Sequence, residues 1–168
     1  DNEAGIATGW LPGELSALGR KQALELGERR RNDGIAAVFT SDLRRAVESA
    51  EIAFGATDIP IFQDVRLREC NYGELNGAPV ARVEAERLHR VTTPFPGGQS
   101  YDDVVHATEM FLQDLATDWD GSRVLLVAHR ANRWALQVLL DGERLEDLVV
   151  APFNWQPGWR FTLPTPLL

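Results

Sequence analysis

The sequence predicts an α/β protein of three layers, a sandwich whose mostly parallel central sheet is flanked by helices. Short apolar runs such as Val124 to Ala128 have the unbroken pattern of a strand buried on both faces. Segments with apolar residues at helical spacing follow these runs, and strands that alternate with helices indicate parallel pairing. The 168 residues fit a single domain, residues 1–168, that is long enough to bury a core.

The first half of the chain is predicted to contain four elements. They are a helix over Leu15 to Arg31, a strand over Ile35 to Phe39, a helix over Leu43 to Phe54 and a strand over Ile59 to Phe62. Ser16 is a suitable N-cap for the first helix, and Ser41 or Asp42 for the second, because their side-chain oxygens accept from free backbone N–H groups. Pro60 places the second strand at a sheet edge or at a strand start, since proline has no N–H for a β-ladder.

The second half opens with a polar, glycine-punctuated loop, residues 66–77, and then continues the alternation. Its predicted elements are a helix over Val80 to Arg90, a helix over Tyr101 to Trp119, the strand Val124 to Ala128 with a helix after it, a short helix near Leu145 to Val149, and a strand over Trp155 to Leu163. Ser100 is predicted to cap the long helix. Met110 and Trp134 fall on apolar helix faces, which favours core positions for both.

Composition and charge exclude several classes of function. The net charge of −8 argues against binding to nucleic acids or to anionic membranes, and no apolar run approaches membrane-spanning length. A single cysteine, Cys70, excludes an internal disulfide framework and fits a cytoplasmic location. No metal-ligand spacing occurs, so neither a metal nor a cofactor is predicted. The oligomeric state is left open.

His129 stands where the chain turns from strand into helix. Ligands of α/β sheets collect at the carboxyl ends of strands, and anions collect at helix N-termini, where backbone N–H groups are free. A histidine at this junction is therefore well placed to act on a phosphate or a carboxylate. The alternative is a structural histidine, buried and hydrogen-bonded to a neighbouring carbonyl.

Arg45 and Glu69 occupy two further junctions of this kind. Arg45 lies at the start of a helix, where a cation is slightly unfavourable against the helix dipole, so a bound anion would explain it. Glu69 lies in a loop, and loops on a rigid scaffold often carry functional groups. The alternatives are a solvated helix residue for Arg45 and a surface carboxylate for Glu69. His89 and His106 lie in charged helices and are interpreted as ordinary surface or core residues.

Five short motifs occur in order along nearly the whole chain. They are Gly9-Trp10 with L-S-A-L-G-R-K-Q-A at 15–23, T-S-D-L-R-R-A at 40–46, L-R-E-C-N-Y-G at 67–73, P-G-G-Q-S at 96–100 and V-A-H at 127–129. In this order they resemble the histidine phosphatase superfamily, the phosphoglycerate mutase-like proteins. The P-G-G-Q-S stretch resembles the phosphatase branch. Each motif alone is weak evidence for this family, but the occurrence of all five in the same order makes the resemblance specific.

The resemblance implies a phosphatase that hydrolyses a small phosphomonoester through a phosphohistidine, without a metal. It implies that Glu69 donates and accepts the proton, that Arg45 holds the phosphate, and that His129 is the second histidine of the site. The expected substrate-binding residues are Asn2, Thr8, Gly9 and Arg130. A phosphoglycerate mutase is the alternative within the family, but the middle of this chain is compact, as in the phosphatases.

Two departures from the family pattern bear on activity. The family's nucleophilic histidine lies in an R-H-G motif at the end of a first strand, and residues 1–168 contain no such motif. We expect that this strand precedes residue 1; the alternative is a phospho-ligand binding or scaffold protein that cannot form phosphohistidine. Arg130 replaces the glycine that usually follows the second histidine, and we expect its side chain to turn inward as an additional phosphate clamp.

Overall fold

A three-stranded parallel sheet lies at the centre of residues 5–165, the part of the chain described by this computed structural model. Its strands are β1 (Ile35–Thr40), β2 (Ile61–Gln63) and β3 (Arg123–Val127), in the order β2–β1–β3. β1 pairs in parallel with both neighbours. The predicted parallel pairing is thereby confirmed, and β2 follows Pro60 at an edge, as the sequence indicates.

Six α-helices are described. They are α1 (Ala17–Arg30), α2 (Arg44–Phe54), α3 (Val80–Glu86), α4 (Tyr101–Asp118), α5 (Arg130–Asp141) and α6 (Leu145–Leu148). Single 3₁₀ turns cover Val65–Leu67 and Gly73–Leu75. Ser16 and Ser100 accept backbone N–H groups at the starts of α1 and α4, as predicted. None of the helices described is long and apolar enough to cross a bilayer.

Alternate residues of β1 face opposite sides of the sheet, as the two-residue period of a strand requires. Val38 packs with Ala50 and Phe54 of α2 on one side. Phe39 packs edge-on against Phe111 of α4 on the other side, with ring centroids 5.5 Å apart. α1 packs on α2, and α5 packs on α4. Helices therefore cover both faces of the sheet, which confirms the predicted three-layer α/β sandwich.

A third apolar cluster lies at the carboxyl edge of the sheet, beside the start of α5. Its aromatic rings form an edge-on series from Tyr72 through Phe95 and Tyr101 to Trp134, with centroids 5.3, 5.9 and 5.4 Å apart. Trp134 is therefore a core residue, as predicted. The cluster holds the loop of residues 70–75 against α4 and α5, and this loop follows the candidate residue Glu69 directly.

Several sequence predictions about local structure are wrong. α2 begins at Arg44 with Leu43 as its N-cap, so neither Ser41 nor Asp42 is the cap; the Ser41 hydroxyl accepts the N–H of Leu43 itself, at 3.4 Å. The residues of β3 are at most half-buried because, within residues 5–165, β3 pairs only with β1. The side chains of an edge strand stay partly accessible along its unpaired side, even where helices cover both faces of the sheet.

The chain end and one helix residue also differ from prediction. The segment 155–163 contains no strand, because a strand needs a partner to form a ladder; Leu163 instead packs against the cluster around Phe39. Met110 is 47% exposed, since the apolar stripe of α4 is centred on Phe111 and Leu115. α3 ends at Glu86, before the predicted end at residue 90.

Candidate active site

Two polar side chains meet where β1 and β3 end. Ser41 follows β1 directly, and His129 follows β3 after one intervening residue. Because the strands are parallel, their carboxyl ends lie at the same edge of the sheet. The hydroxyl oxygen of Ser41 lies 2.7 Å from Nε2 of His129, within hydrogen-bond distance. The tertiary fold thus joins residues from two segments far apart in the chain.

The backbone of His129 is held in place by the helix that it starts. His129 is the N-cap of α5, with an extended backbone (φ −130°, ψ 172°). Its N–H donates to Oδ1 of Asn132 at 2.9 Å, while Nδ2 of Asn132 donates to the carbonyl of Arg68 at 3.2 Å. One buried amide therefore connects the residue before Glu69 to the helix that carries His129.

The imidazole of His129 is neutral in this site. Burial, together with the positive charge of Arg45, lowers its pKa to about 3. At neutral pH the ring therefore carries one N–H and one acceptor nitrogen, and the Ser41 contact occupies one of the two. A dianionic phosphate in the site would offset the charge of Arg45 and favour protonation of His129.

Arg45 lies in the first turn of α2, and its guanidinium reaches the N-terminal loop. It donates to the carbonyl of Gly9 at 2.8 Å and to that of Leu11 at 3.3 Å. Burial lowers its pKa, and the negative charge of Glu69 opposes this shift, which places the two groups within electrostatic reach. Arginine stays charged despite such a shift, so Arg45 provides a permanent, partly desolvated cation at the sheet edge.

Glu69 is the acidic group of the site. Burial raises the pKa of its carboxyl, whereas the Cys70 N–H at 2.7 Å and the charges of Arg45, Arg130 and Arg87 partly offset the increase. A carboxyl with a raised pKa holds its proton closer to neutrality, which suits a general acid. Glu69 and His129 both interact electrostatically with Arg45.

The loop before Glu69 is anchored by an aromatic ring and an ion pair. Trp10 donates its indole N–H to the carbonyl of Glu69 at 2.7 Å, and the Arg68 guanidinium stacks 4.6 Å from the centre of the Trp10 ring. Nε and Nη2 of Arg68 bind the two carboxylate oxygens of Asp42 at 2.6 and 2.8 Å. This bidentate pair lowers the pKa of Asp42, and it joins the Glu69 loop to the end of β1.

Comparison with known proteins decides the family. The sequence profile of the histidine phosphatase superfamily (branch 1) matches residues 1–152. The chain belongs to the histidine phosphatase superfamily.

Relatives in this superfamily include mutases and phosphatases. The 2,3-bisphosphoglycerate-dependent phosphoglycerate mutase of Methylobacterium sp. (strain 4-46) is 32% identical over 162 residues, which cover 88% of this chain and 78% of that protein. YhfR of Bacillus stearothermophilus superposes with a TM-score of 0.82 at 28% identity, covering 93% of this chain and 81% of YhfR. A mycobacterial glucosyl-3-phosphoglycerate phosphatase superposes with a TM-score of 0.75 at 28% identity, covering 86% and 77%.

The structure describes Gly9 and Thr8, two of the residues expected from the superfamily motifs to bind substrate. Gly9, at φ +55°, packs against Asn76 and Tyr72 too closely for a side chain, and its carbonyl accepts from Arg45. Thr8 precedes it and is half-buried. Asn2 lies outside the described residues, so its predicted contact with substrate stays a prediction.

Arg130, the residue that replaces the usual superfamily glycine, is the first residue of α5. Its guanidinium lies 4.4 Å above the centre of the Phe153 ring. The side chain is therefore stacked on an aromatic ring rather than fully solvated. Its charge partly offsets the rise in the pKa of Glu69 that burial causes. Whether it clamps a phosphate stays a prediction.

Ser41 is the site residue that sequence reasoning missed. The sequence predicts it only as a helix cap, but its hydroxyl, which accepts the Leu43 N–H at 3.4 Å, also contacts His129 at 2.7 Å. The sequence signal that could have identified Ser41 is its position directly after a buried strand, at the same sheet edge as His129. Cys70 is buried beside Glu69, and burial raises the pKa of its thiol, so it is not a thiolate nucleophile. No cluster of three His, Cys, Asp or Glu side chains within residues 5–165 has the geometry of a metal site.

Proposed function

We propose that this protein is a metal-independent phosphatase that hydrolyses a small phosphomonoester through a phosphohistidine. The observation that carries the proposal is the juxtaposition of a neutral imidazole, a desolvated guanidinium and a carboxyl of raised pKa at one sheet edge. The imidazole of His129 can donate to developing charge, the guanidinium of Arg45 can bind phosphate, and the carboxyl of Glu69 can act as a general acid. A soluble small-molecule substrate, rather than a nucleic acid, fits the net charge of −8.

Each group would have a defined role in the two half-reactions. Arg45 would bind the nonbridging phosphate oxygens, and His129 would donate a hydrogen bond to the same oxygens as charge develops. In the first step a histidine nitrogen bonds to phosphorus, the bond to the alcohol oxygen breaks, and the Glu69 proton goes to that oxygen. In the second step Glu69 takes a proton from water, the water oxygen bonds to phosphorus, and the phosphorus–nitrogen bond breaks.

Two alternatives remain to be distinguished by experiment. Mutase activity is favoured by relatives such as the Methylobacterium mutase at 32% identity. A phospho-ligand binding or scaffold function is the alternative for a polypeptide without the superfamily's R-H-G histidine. Hydrolysis is preferred because the glucosyl-3-phosphoglycerate phosphatase shares this fold over 86% of the chain, and because the middle segment is compact.

The test is hydrolysis of p-nitrophenyl phosphate in the presence of a chelator. The assay compares residues 1–168 with the polypeptide translated from the whole reading frame. In the active form, His129→Ala is expected to reduce kcat by about 100-fold or more, because a preorganised donor to the phosphate oxygens is lost. His106→Gln, at an exposed position, is the matched control.

Three results would contradict the proposal. The first is strict dependence on magnesium, and the second is full activity in His129→Ala. The third is phosphate binding without turnover in both polypeptides, which would support the binding-protein alternative. Transfer of the phosphate between positions of phosphoglycerate, faster than its release as inorganic phosphate, would support the mutase.

A further inference from the structure

Asn132 is a buried polar residue in the first turn of α5 to which the proposed reaction gives no direct role. It is only 2% exposed, and the neighbouring residues Ala131, Trp134 and Ala135 of the same helix belong to the apolar core. Burial of a primary amide costs free energy unless its carbonyl oxygen and its amino group both find hydrogen-bond partners. The partners of Asn132 therefore indicate its role.

The two ends of the Asn132 amide bind the backbone of two different segments. Oδ1 accepts the N–H of His129 at 2.9 Å, and Nδ2 donates to the carbonyl of Arg68 at 3.2 Å, 64 positions earlier in the chain. The first bond holds the start of α5, as the third residue of a helix does in a capping box. The second bond contributes nothing to the helix. It attaches the helix to the peptide group that precedes Glu69.

The peptide group that follows Glu69 is also held by a side chain. Trp10 donates its indole N–H to the carbonyl of Glu69 at 2.7 Å. The two anchored peptide groups flank the Cα of Glu69, and each is planar, so fixing both sets φ, ψ and the direction of the Cα–Cβ bond. Oε1 of Glu69 then accepts the N–H of Cys70 at 2.7 Å, which fixes the carboxyl.

We propose that Asn132 is a positioning residue that aligns the carboxyl of Glu69 with the phosphate site at His129. This inference rests on the proposed function, in which the bond from phosphorus to the alcohol oxygen breaks while the Glu69 proton moves to that oxygen. Proton transfer requires hydrogen-bond distance, so a displacement of about 1 Å would remove much of the contribution of the acid. Asn132 acts through Glu69 and needs no contact with the reacting atoms.

Leaving-group dependence distinguishes this role from a general loss of structure. p-Nitrophenolate is a stable anion that can leave without a proton, whereas the alkoxide of p-nitrophenethyl phosphate needs one. The assay measures kcat/KM of the whole-reading-frame protein for both esters from the release of inorganic phosphate. In Asn132→Leu, which removes both hydrogen bonds, we expect about 30-fold loss for the alkyl ester and about threefold loss or less for the aryl ester. A substitution that only lowers the folded fraction reduces both values by the same factor.

Thr108→Val is the matched structural control. Thr108 is fully buried, and its hydroxyl donates to the carbonyl of Val104 at 2.8 Å within α4. The substitution therefore removes a buried hydrogen bond with little change in volume, and it should not alter the ratio between the two esters. Glu69→Gln is the reference for loss of the acid, and it should reduce kcat/KM much more for the alkyl ester than for the aryl ester.

A double-mutant cycle tests whether Asn132 acts through Glu69. In the Glu69→Gln background, Asn132→Leu should cause no further loss specific to the alkyl ester, because the proton that Asn132 positions is already absent. Asn132→Ser is a second variant for the case that Asn132→Leu does not fold. Its hydroxyl keeps a polar group at the start of α5 but is too short to reach the carbonyl of Arg68, so the same selective loss is expected. Circular dichroism establishes that each variant is folded.

The pKa of the Glu69 carboxyl is a measurement that needs no turnover. Carbon NMR of protein labelled at the glutamate carboxyl carbon follows it, and Glu69→Gln assigns the signal. In the unmodified protein burial raises this pKa, against the Cys70 N–H and the charges of Arg45, Arg130 and Arg87. A carboxyl released by Asn132→Leu reaches solvent more often, so its pKa should fall towards the ordinary value. The pKa should be unchanged in the structural control.

The possible results can be told apart. Equal losses for the two esters in the Asn132 variants, the same selective loss in the Glu69→Gln background, or an unchanged Glu69 pKa overturns the positioning role. If Glu69→Gln is selective and the Asn132 variants are not, the phosphatase stands without this role. Equal losses in Glu69→Gln overturn the acid role of Glu69 and the positioning role with it. Turnover of neither ester overturns the phosphatase, and a lowered Glu69 pKa in the Asn132 variants then still supports the positioning of the carboxyl.

Discussion

The neutral state of His129 makes the stability of the folded chain depend on pH in a calculable way. Its pKa is about 3 in the folded protein and 6.5 in an unfolded chain. Between these values the unfolded state binds a proton that the folded state does not. Stability from this group is therefore fully present above the unfolded pKa and is lost as the pH falls towards the folded pKa.

The expected magnitude follows from this difference. Each pH unit below the unfolded pKa removes about 1.4 kcal/mol, so acidification from about pH 7.5 to pH 5 removes about 2 kcal/mol. His129→Gln lacks the ionisable ring and should not show this loss. The free energy of unfolding of the unmodified protein, relative to that of His129→Gln, should therefore decrease by about 2 kcal/mol between these two pH values.

Urea unfolding followed by tryptophan fluorescence measures this difference, and the five tryptophans supply the signal. Contributions from other titrating groups, such as Glu69, cancel to first order because both proteins contain them. His89→Gln and His106→Gln replace exposed histidines and serve as controls for the substitution itself. A difference between the unmodified protein and His129→Gln that stays constant with pH would refute the conclusion that His129 is buried and neutral.

Two further predictions concern the loop and the strand end of the site. Gly73→Ala should destabilise the fold by about 3 kcal/mol or more in urea unfolding, because Gly73 has φ +56° and its Cβ would meet the backbone of residues 96–98. Gly34→Ala, at φ +74° with open space around it, should cost only about 1 kcal/mol, and equal costs would contradict the argument. Ser41→Ala should lower kcat/KM for p-nitrophenyl phosphate by about fivefold to tenfold, since one hydrogen bond to His129 is lost. Ser49→Ala removes a hydroxyl that bonds only within α2 and should have little effect, so a similar loss in both variants would rule out a specific role for Ser41.

Local sequence patterns were enough to predict most of the fold. The strand–helix alternation and the caps Ser16 and Ser100 depend on residues within a few positions of one another. The predicted strand at 155–163 failed because a strand is completed only by a distant partner. The exposure of Met110 was not predicted, because an apolar stripe in the sequence does not show which residues at its edges are exposed to solvent.

In the candidate site, too, some features could be predicted from local sequence and others could not. His129, Arg45 and Glu69 were found from motifs; His129 lies just after a strand, Arg45 at a helix start and Glu69 in a loop. The contact between Ser41 and His129 joins residues 88 positions apart, and the Arg68–Asp42 pair joins residues 26 positions apart. Neither contact has a local signature, since it depends on how the parallel strands align.

The amino-acid sequence by itself determined the family, the order of the elements and the residue types at the carboxyl ends of the strands. Only the tertiary structure decided the chemical state and the direction of these side chains. Burial and the neighbouring charge of Arg45 make His129 neutral, and the position of Phe153 draws the Arg130 guanidinium onto its ring. The physical reason is that desolvation and electrostatic interactions depend on distances in space, whereas capping and periodicity depend on distances along the chain.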